Sequence, residues 1–447
     1  MLDLSGKTVV VVGLGESGVA AVELALGRRA TVIGTDAAPE PKLSPRARAL
    51  TTRGVQIIAG RNDAEVVMRA DVVVVSPGVP PLPMFEQARR AGALVVGELE
   101  LASRFLDAPI VAVGGTNGKS TTTALVHAML VKHGKKTFVG ANFGRPLSAA
   151  VGEPFDALVL EVSSFQMERA PSFHPHVAAL LNITEDHLDR YRSFAEYAAA
   201  KGNMFVNQTT DDVAVVPKGD RVAEREARRG SARIVTFGPG GDVRPELAGD
   251  AIVDRLRENR YPLSSIKLRG AHNLLNVSAA IACASEAGAS HPAIVAALAE
   301  FEGLAHRTAR IADVAGVAYY DDSKGTNVGA AVAALRGLQE TKVVLIAGGR
   351  DKLGAYEPLA AELAKKGRAL VLIGEAAARI EAATSAVVKT VRAASMDQAV
   401  SLASSLATPG DAVLLSPACS SFDMFRDYKD RGDAFARAVK ALAEGRP

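Results

Sequence analysis

Residues 110–123, IVAVGGTNGKSTTT, constrain the fold more than any other part of the chain. An apolar run of β type, 110–113, enters a glycine-rich turn closing on Gly118-Lys119-Ser120, and the helix-compatible segment TTTALVHAMLVKH follows. Strand, turn and helix in that order aim backbone N–H groups and a helix N-terminus at an anion, with Lys119 as a point charge and a hydroxyl available for Mg²⁺. The spacing is not the common Walker pattern. Val113 stands five residues before Gly118, and the first glycine, Gly114, is one residue too close.

A chain of 447 residues predicts about three domains, and 48% hydrophobic content supports several buried cores. The net charge of +3 is small and its signs are interspersed, which points away from a nucleic-acid or membrane-binding face. The arginine-rich stretch 221–233 contains Glu224 and Glu226 and reads as a solvated helix. Two cysteines, Cys283 and Cys419, make no disulfide framework and suit a reducing compartment. The start, MLDLSGKTVV, lacks a basic region followed by an apolar core, and no apolar run approaches the roughly 20 residues of a spanning helix. A cytoplasmic, soluble protein is expected.

From the N-terminus, TVVVVGLGESGVAAVELAL reads as strand, glycine turn and helix, and ATVIGTD as a second strand ending in Asp36. Gly13, Gly15 and Gly18 fit G-x-G-x-x-G, and Asp36 falls where a ribose-binding carboxylate would in a Rossmann unit. The pattern says that a phosphate or sugar approaches the turn, while Glu16 inside it sets a carboxylate beside that site. A strand ending at Ser76-Pro77-Gly78 points to the same sheet edge, although those residues suit a simple turn equally. A boundary is expected near Gly97, with GELELASRF as a connecting helix. The second domain continues through KTFVGANFG, FDALVLEVSSFQ and HPHVAALLNITEDHLDR, apolar strands running into polar clusters that should converge on the loop. Glu161 is placed like an acidic Mg²⁺ partner one strand from a phosphate loop. Residues 185–190 crowd five titratable groups into six positions. Lys201, flanked by alanines, reads on its own as a solvated helical position, and Phe165, Phe205 and Tyr197 as core.

After a polar stretch, 218–260, a strand SIKLRG is expected before a long helix on which Asn273 and Asn276 share a face; as helix-start residues they also suit caps. A second boundary is expected at Gly303, with His306-Arg307 at the junction. The remainder alternates strand and helix again, so a third α/β unit is expected, with Lys324, Thr326, Lys352 and Ser421 at strand-to-helix turns able to bind a carboxylate.

Taken together, Gly115-Thr116-Asn117-Gly118-Lys119-Ser120, Glu161-Val162-Ser163-Ser164-Phe165-Gln166, the cluster 182–190, Asp322-Ser323-Lys324-Gly325-Thr326-Asn327 and Ser416-Pro417-Ala418-Cys419 resemble the Mur ligases of peptidoglycan synthesis. The resemblance spans the chain, accounts for the short loop, and through SPACSSFDMFRDYKDRG points to the glutamate-adding branch. It implies three domains: a Rossmann-like 1–97 binding the UDP substrate, a P-loop ATPase-like parallel sheet 98–303 binding ATP, and a Rossmann-like 304–447 binding the amino acid. The implied reaction is ATP-dependent joining of D-glutamate to the alanine carboxylate of UDP-N-acetylmuramoyl-L-alanine through an acyl phosphate.

By the same resemblance, Gly115, Thr116, Asn117, Gly118, Lys119, Ser120 and Thr121 hold the ATP phosphates. Ser120 and Glu161 take one Mg²⁺, and His187 with a carbamylated Lys201 takes a second. Asn142 lies beside the reacting groups, and Asn273, Asn276, Arg307 and Asp322 hold the rest of the nucleotide. Gly15, Ser17, Asp36 and Ser76, together with Asn142 and His187, contact the UDP substrate. Lys324, Thr326, Lys352, Ser421 and Phe422 take the incoming glutamate. A monomer without nucleic-acid partners is expected. An NAD-linked oxidoreductase would use the first glycine turn and leave the phosphate loop, Glu161 and the Asp186-His187 cluster without a role. An ATPase switch would use the loop and Glu161 without needing a third domain lined by Lys324, Lys352 and Ser421.

Overall fold

The computed structural model describes residues 2–187, 190–246, 249–268, 270–351 and 355–445. Among these residues three sheets form, each mostly parallel, in the order in which the chain supplies them. The first joins β1 (Thr8–Val12), β2 (Thr31–Asp36), β3 (Gln56–Ala59), β4 (Val72–Val75) and β5 (Leu94–Val96) in the order β3-β2-β1-β4-β5. The helix α1 (Glu16–Gly27) follows β1. Every pairing here is parallel, so strands such as Val9–Val12 in β1 and all of β4 are buried on both faces and read as unbroken valine runs. At roughly 1.5–3 kcal/mol for each such side chain removed from water, these runs hold the sheet together.

The second sheet runs β14-β13-β12-β11-β10-β9-β6-β8-β7. Its members are β6 (Ile110–Gly114), β7 (Thr137–Ala141), β8 (Ala157–Glu161), β9 (Val177–Leu180), β10 (Val213–Pro217), β11 (Arg233–Phe237), β12 (Val243–Pro245), β13 (Ala251–Asp254) and β14 (Asn259–Pro262). β6, flanked by β8 and β9, carries the phosphate loop at its C-terminal end. The short α2 (Glu98–Ser103) precedes this sheet, and α3 (Lys119–Lys132), α4 (Phe194–Gly202) and α5 (Ala271–Glu286) belong to it or border it. The last two strands pair antiparallel, inside the stretch expected to be merely polar. The strand expected at SIKLRG is absent from residues 265–268: Pro262 ends β14, a 3₁₀ turn follows, and Lys267 Nζ bonds to Glu302 Oε1 at 3.0 Å. The helix in 221–233 is confined to Arg221–Ala227, and Arg233 already begins β11.

The third sheet runs β15-β16-β20-β17-β18-β19, from β15 (Ala309–Val314), β16 (Val317–Asp321), β17 (Val343–Gly348), β18 (Gly367–Ile373), β19 (Thr390–Arg392) and β20 (Ala412–Leu415). Only its edge strand β15 pairs antiparallel among the described strands. Helix α6 (Val328–Gly337) follows β16, and α7 (Tyr428–Ala443) closes the chain, with Phe435 and Val439 fully buried against the sheet.

The chain divides into two compact units: Met1–Ile183, Ala195–Leu263 and Asn276–Leu298 form one, and Thr184–Phe194, Ser264–Leu275 and Ala299–Pro447 the other. The first unit contains the first two sheets and the second contains the third. The segment Thr184–Phe194 packs with the second unit, although the strands on either side of it in sequence, β9 and β10, are neighbours in the second sheet. No described helix is long and apolar enough to cross a membrane.

Candidate functional site

In the first unit the phosphate loop is a tight turn ending at the N-terminus of α3. Gly118, at the N-cap of α3, has φ +85°, and a Cβ there would lie 2.2 Å from Asn276 Oδ1, so the backbone and Asn276 are in close approach. Asn276 is thus brought to the loop. Lys119 Nζ folds back on its own turn, donating to the carbonyls of Gly115 (2.9 Å) and Thr116 (2.8 Å). Asn182, which sequence reasoning gave no role, clamps the turn. Its Oδ1 accepts from Asn117 N (2.9 Å), its Nδ2 donates to Asn117 O (3.0 Å), and its carbonyl accepts from Thr116 N (2.9 Å). The only sequence signal was its place at the head of a polar cluster after a buried strand.

Glu161 ends β8 in register with Val113 of β6, and it is buried. Ser120 Oγ donates to its Oε2 at 2.5 Å, and Asn142 Nδ2 donates to its Oε1 at 2.6 Å. The Asn142 backbone N–H donates to the Glu161 carbonyl at 3.0 Å, so Glu161 holds Asn142 by both backbone and side chain. Three of the expected residues therefore meet in one hydrogen-bonded chain at the mouth of the loop. A hydroxyl, an amide and a buried carboxylate form a hard-oxygen donor set that fits Mg²⁺.

Lys201 is buried, against its expectation as a solvated helical position. Its Nζ donates to the Gly115 carbonyl at 2.8 Å and lies 4.6 Å from the centre of the Tyr197 ring. Tyr197 is also more than core, since its hydroxyl shares a hydrogen bond of 3.2 Å with Thr116 Oγ1. The same carbonyl therefore receives the amines of Lys119 and Lys201. Thr121 is buried on α3.

The glycine turn of the first sheet is bound together from within. Ser76 Oγ donates to Gly13 O at 2.6 Å, and a Cβ on Gly18 would sit 1.8 Å from that same oxygen. Asp36 accepts from Leu14 N (2.6 Å) with one oxygen and from Ala38 N (2.8 Å) with the other, so its carboxylate also shapes the turn. Gly15 is the N-cap of α1, Ser17 is half-buried in its first turn, and Glu16 is exposed.

In the second unit, the turn after β16 gathers a second set. Asp322 is buried; its Oδ2 accepts from Ser416 Oγ at 2.7 Å, and its Oδ1 from Thr308 N and Oγ1 at 3.1 and 3.2 Å. Burial pushes its carboxyl up to about 7, with Ser416, Arg307 and Thr308 pulling the other way. Lys324 Nζ lies 3.8 Å from the centre of the Tyr428 ring, and Thr326 N donates to Lys324 O at 2.8 Å. His306 Nδ1 and Asp321 Oδ2 are 2.6 Å apart. Ser421 is buried, with its carbonyl accepting from Met424 and Phe425, while Phe422 is 62% exposed. Asn273 lies in the first turn of α5, its N–H donating to Gly270 O. His187 sits in left-handed backbone, φ +56°, beside Asp186. Lys352 lies outside the described residues.

Arg431 was also missed. Fully buried on α7, it donates to Ser323 Oγ (3.0 Å), Ser323 O (2.9 Å) and Cys419 O (3.1 Å), bracing the turns after β16 and β20. Burial lowers its guanidinium to about 10. A lone arginine in a charge-rich helix gives no sequence signal of such burial.

Three family definitions match this chain in series: "Mur ligase MurD-like, N-terminal domain" over residues 7–97, "Mur ligase middle domain" over 113–284, and "Mur ligase, glutamate ligase domain" over 306–419. Proteins named UDP-N-acetylmuramoylalanine–D-glutamate ligase from Pelobacter propionicus and Geobacter metallireducens are each 43% identical, covering 99% of this chain and 100% and 99% of their own. Among solved structures, a pseudomurein peptide ligase type C from Methanothermus fervidus superposes with a TM-score of 0.63 at 17% identity. It covers 98% of this chain and 100% of its own. UDP-N-acetylmuramate–alanine ligase from Thermotoga maritima gives 0.62 at 20% identity with the same coverages. At these identities the two structures bear on the fold.

Proposed function

The chain belongs to the Mur ligase family, and from that premise we propose that it joins D-glutamate to the alanine carboxylate of UDP-N-acetylmuramoyl-L-alanine, releasing ADP and phosphate. What carries this reading is 43% identity, end to end, to ligases named for that reaction.

The γ-phosphoryl group of ATP passes to the alanine carboxylate, and the amine of glutamate attacks the resulting acyl phosphate. Chemistry of this kind is mainly positioning and neutralisation of charge. Residues 115–121 are assigned to the phosphates, through the N-terminal end of α3 and the Lys119 ammonium, for which phosphate oxygens would replace the two carbonyl contacts it now makes. Ser120 and Glu161 would hold Mg²⁺, which when bound neutralises charge on the phosphate oxygens. Asn142, bonded to Glu161, is assigned to orient the reacting carboxylate. Lys201 as an ammonium does not ligate a cation; carbamylated, it would present oxygens for a second Mg²⁺ together with His187. Asn273, Asn276, Arg307 and Asp322 are assigned to the nucleotide. Gly15, Ser17, Asp36 and Ser76 are assigned to the UDP end, Asp36 and Ser76 acting by shaping the turn. Lys324, Thr326, Lys352, Ser421 and Phe422 are assigned to glutamate.

The domains are taken as 1–97, 98–303 and 304–447, in a monomer acting in the cytoplasm. The acyl-phosphate step has a direct test. With heavy oxygen in the alanine carboxylate, one labelled atom should appear in each phosphate released; unlabelled phosphate alongside peptide product would exclude this route.

A further inference from the structure

We propose that Asn327 is a positioning residue that holds the His187 segment against the amino-acid-binding turn by way of Asp186. The inference rests on the reading of Lys324 and Thr326 as glutamate ligands.

Thr184–Phe194 packs in the second unit, and within it Asp186 is bonded both to its own segment and to Asn327. The Asp186 side chain is 7% exposed. One oxygen, Oδ1, accepts from the backbone N–H of His187 at 2.9 Å. The other, Oδ2, accepts from Asn327 Nδ2 at 3.2 Å and faces the His187 ring, with Nε2 at 3.7 Å. The main chain of His187 is pinned further on, where its carbonyl accepts from Arg190 and Tyr191. A residue at φ +56° without glycine's freedom keeps that conformation only while its surroundings impose it.

Asn327 uses the two ends of its amide for two purposes. Its Oδ1 accepts from Ala330 N at 2.8 Å, capping α6, and its Nδ2 reaches Asp186. Asn327 directly follows Thr326, and the turn itself is fixed by Gly325 O accepting from Ala418 N at 2.9 Å. Thr184, Glu185 and Asp186 line a cavity of about 360 Å³ together with Asn327, Val332 and Tyr356. A hydrogen bond to a charged group is among the stronger ones, and a reacting constellation tolerates only about 0.5 Å of misplacement. Loss of the tie should therefore lower turnover and leave nucleotide binding alone.

A cap without a positioning role is the rival account, and three variants separate the two. Asn327→Asp keeps a good helix cap but sets carboxylate against carboxylate. Asn327→Ser keeps a cap that is too short to reach Asp186. The double variant Asp186→Asn with Asn327→Asp restores an amide–carboxylate pair with the partners exchanged. Kinetics with UDP-N-acetylmuramoyl-L-alanine, ATP and D-glutamate should show kcat/KM for D-glutamate falling about tenfold or more in each single variant, the scale of one lost charged hydrogen bond. The KM for ATP should stay within about twofold in both, and the double variant should recover to within about threefold of wild type, as expected of a pairwise coupling. Wild-type kcat/KM in Asn327→Ser, or a double variant no better than Asn327→Asp, overturns the proposal; if Asn327→Asp does not fold, Asn327→Ser decides alone. Wild-type enzyme that fails to ligate D-glutamate would instead refute the functional reading beneath it.

Discussion

Asp322 shows how much a single residue's environment adds to its sequence. Read from the chain it is one acid of a pair at a strand end; in the fold it is buried, and its proton is held up to about 7 instead of the ordinary 3.8. Between those values the folded protein binds a proton that the unfolded chain has released. Stability from this group is therefore fully present below about pH 4 and is lost as pH rises toward 7, by at most about 1.4 kcal/mol per pH unit. Asp322→Asn should flatten that slope in denaturant titrations of the ligand-free protein across pH 4–7; an unchanged slope would mean that Asp322 is ionised throughout. Lys201 gives the same lesson from the other side. Alanines flanking a lysine are compatible with water or with burial, and only packing places its amine on the carbonyl of Gly115. Ser120 and Glu161 were legible because strand, turn and helix fix their positions, whereas the inward use of the Asp36 carboxylate depends on backbone groups that no motif specifies.

At the level of elements, the alternation of apolar runs and turn residues announced most strands, because parallel strands buried on both faces must be continuously apolar. It failed at the margins. The hairpin β13–β14 lies in a charge-rich stretch where only short alternation survives, and where a strand was expected after it Leu263–Ser265 form a 3₁₀ turn. The phosphate loop depends on a neighbour rather than on its glycines alone. Asn182, just past the end of β9, supplies two hydrogen bonds to Asn117 and one carbonyl to Thr116. Removing its side chain in Asn182→Ala leaves the Asn117 amide and carbonyl without these partners, at about 0.5–1.5 kcal/mol each. The KM for ATP should rise about tenfold while kcat for bound substrates falls less, a pattern of lost ground-state binding. Unchanged ATP dependence would show that the loop keeps its shape without the clamp.

At the scale of the whole molecule, three α/β units were expected from length and alternation, and three sheets are found among the described residues. The packing of Thr184–Phe194 with the second unit was not legible, because sequence order places it between strands of the second sheet and says nothing of lateral contacts such as Asp186 with Asn327. Arg431 was hidden for the same reason: its partners Ser323 and Cys419 come from distant turns that only the folded sheet brings to one helix. The reaction proposed needs ATP, a nucleotide-sugar carboxylate and an amino acid to be present together, and that requirement is the central claim. It is tested most directly by phosphate release from purified protein with Mg²⁺ and ATP, offered UDP-N-acetylmuramoyl-L-alanine with D-glutamate, with L-glutamate, or without an amino acid. Sustained release is predicted only with the nucleotide sugar and D-glutamate together; release indifferent to both substrates would contradict the ligase account.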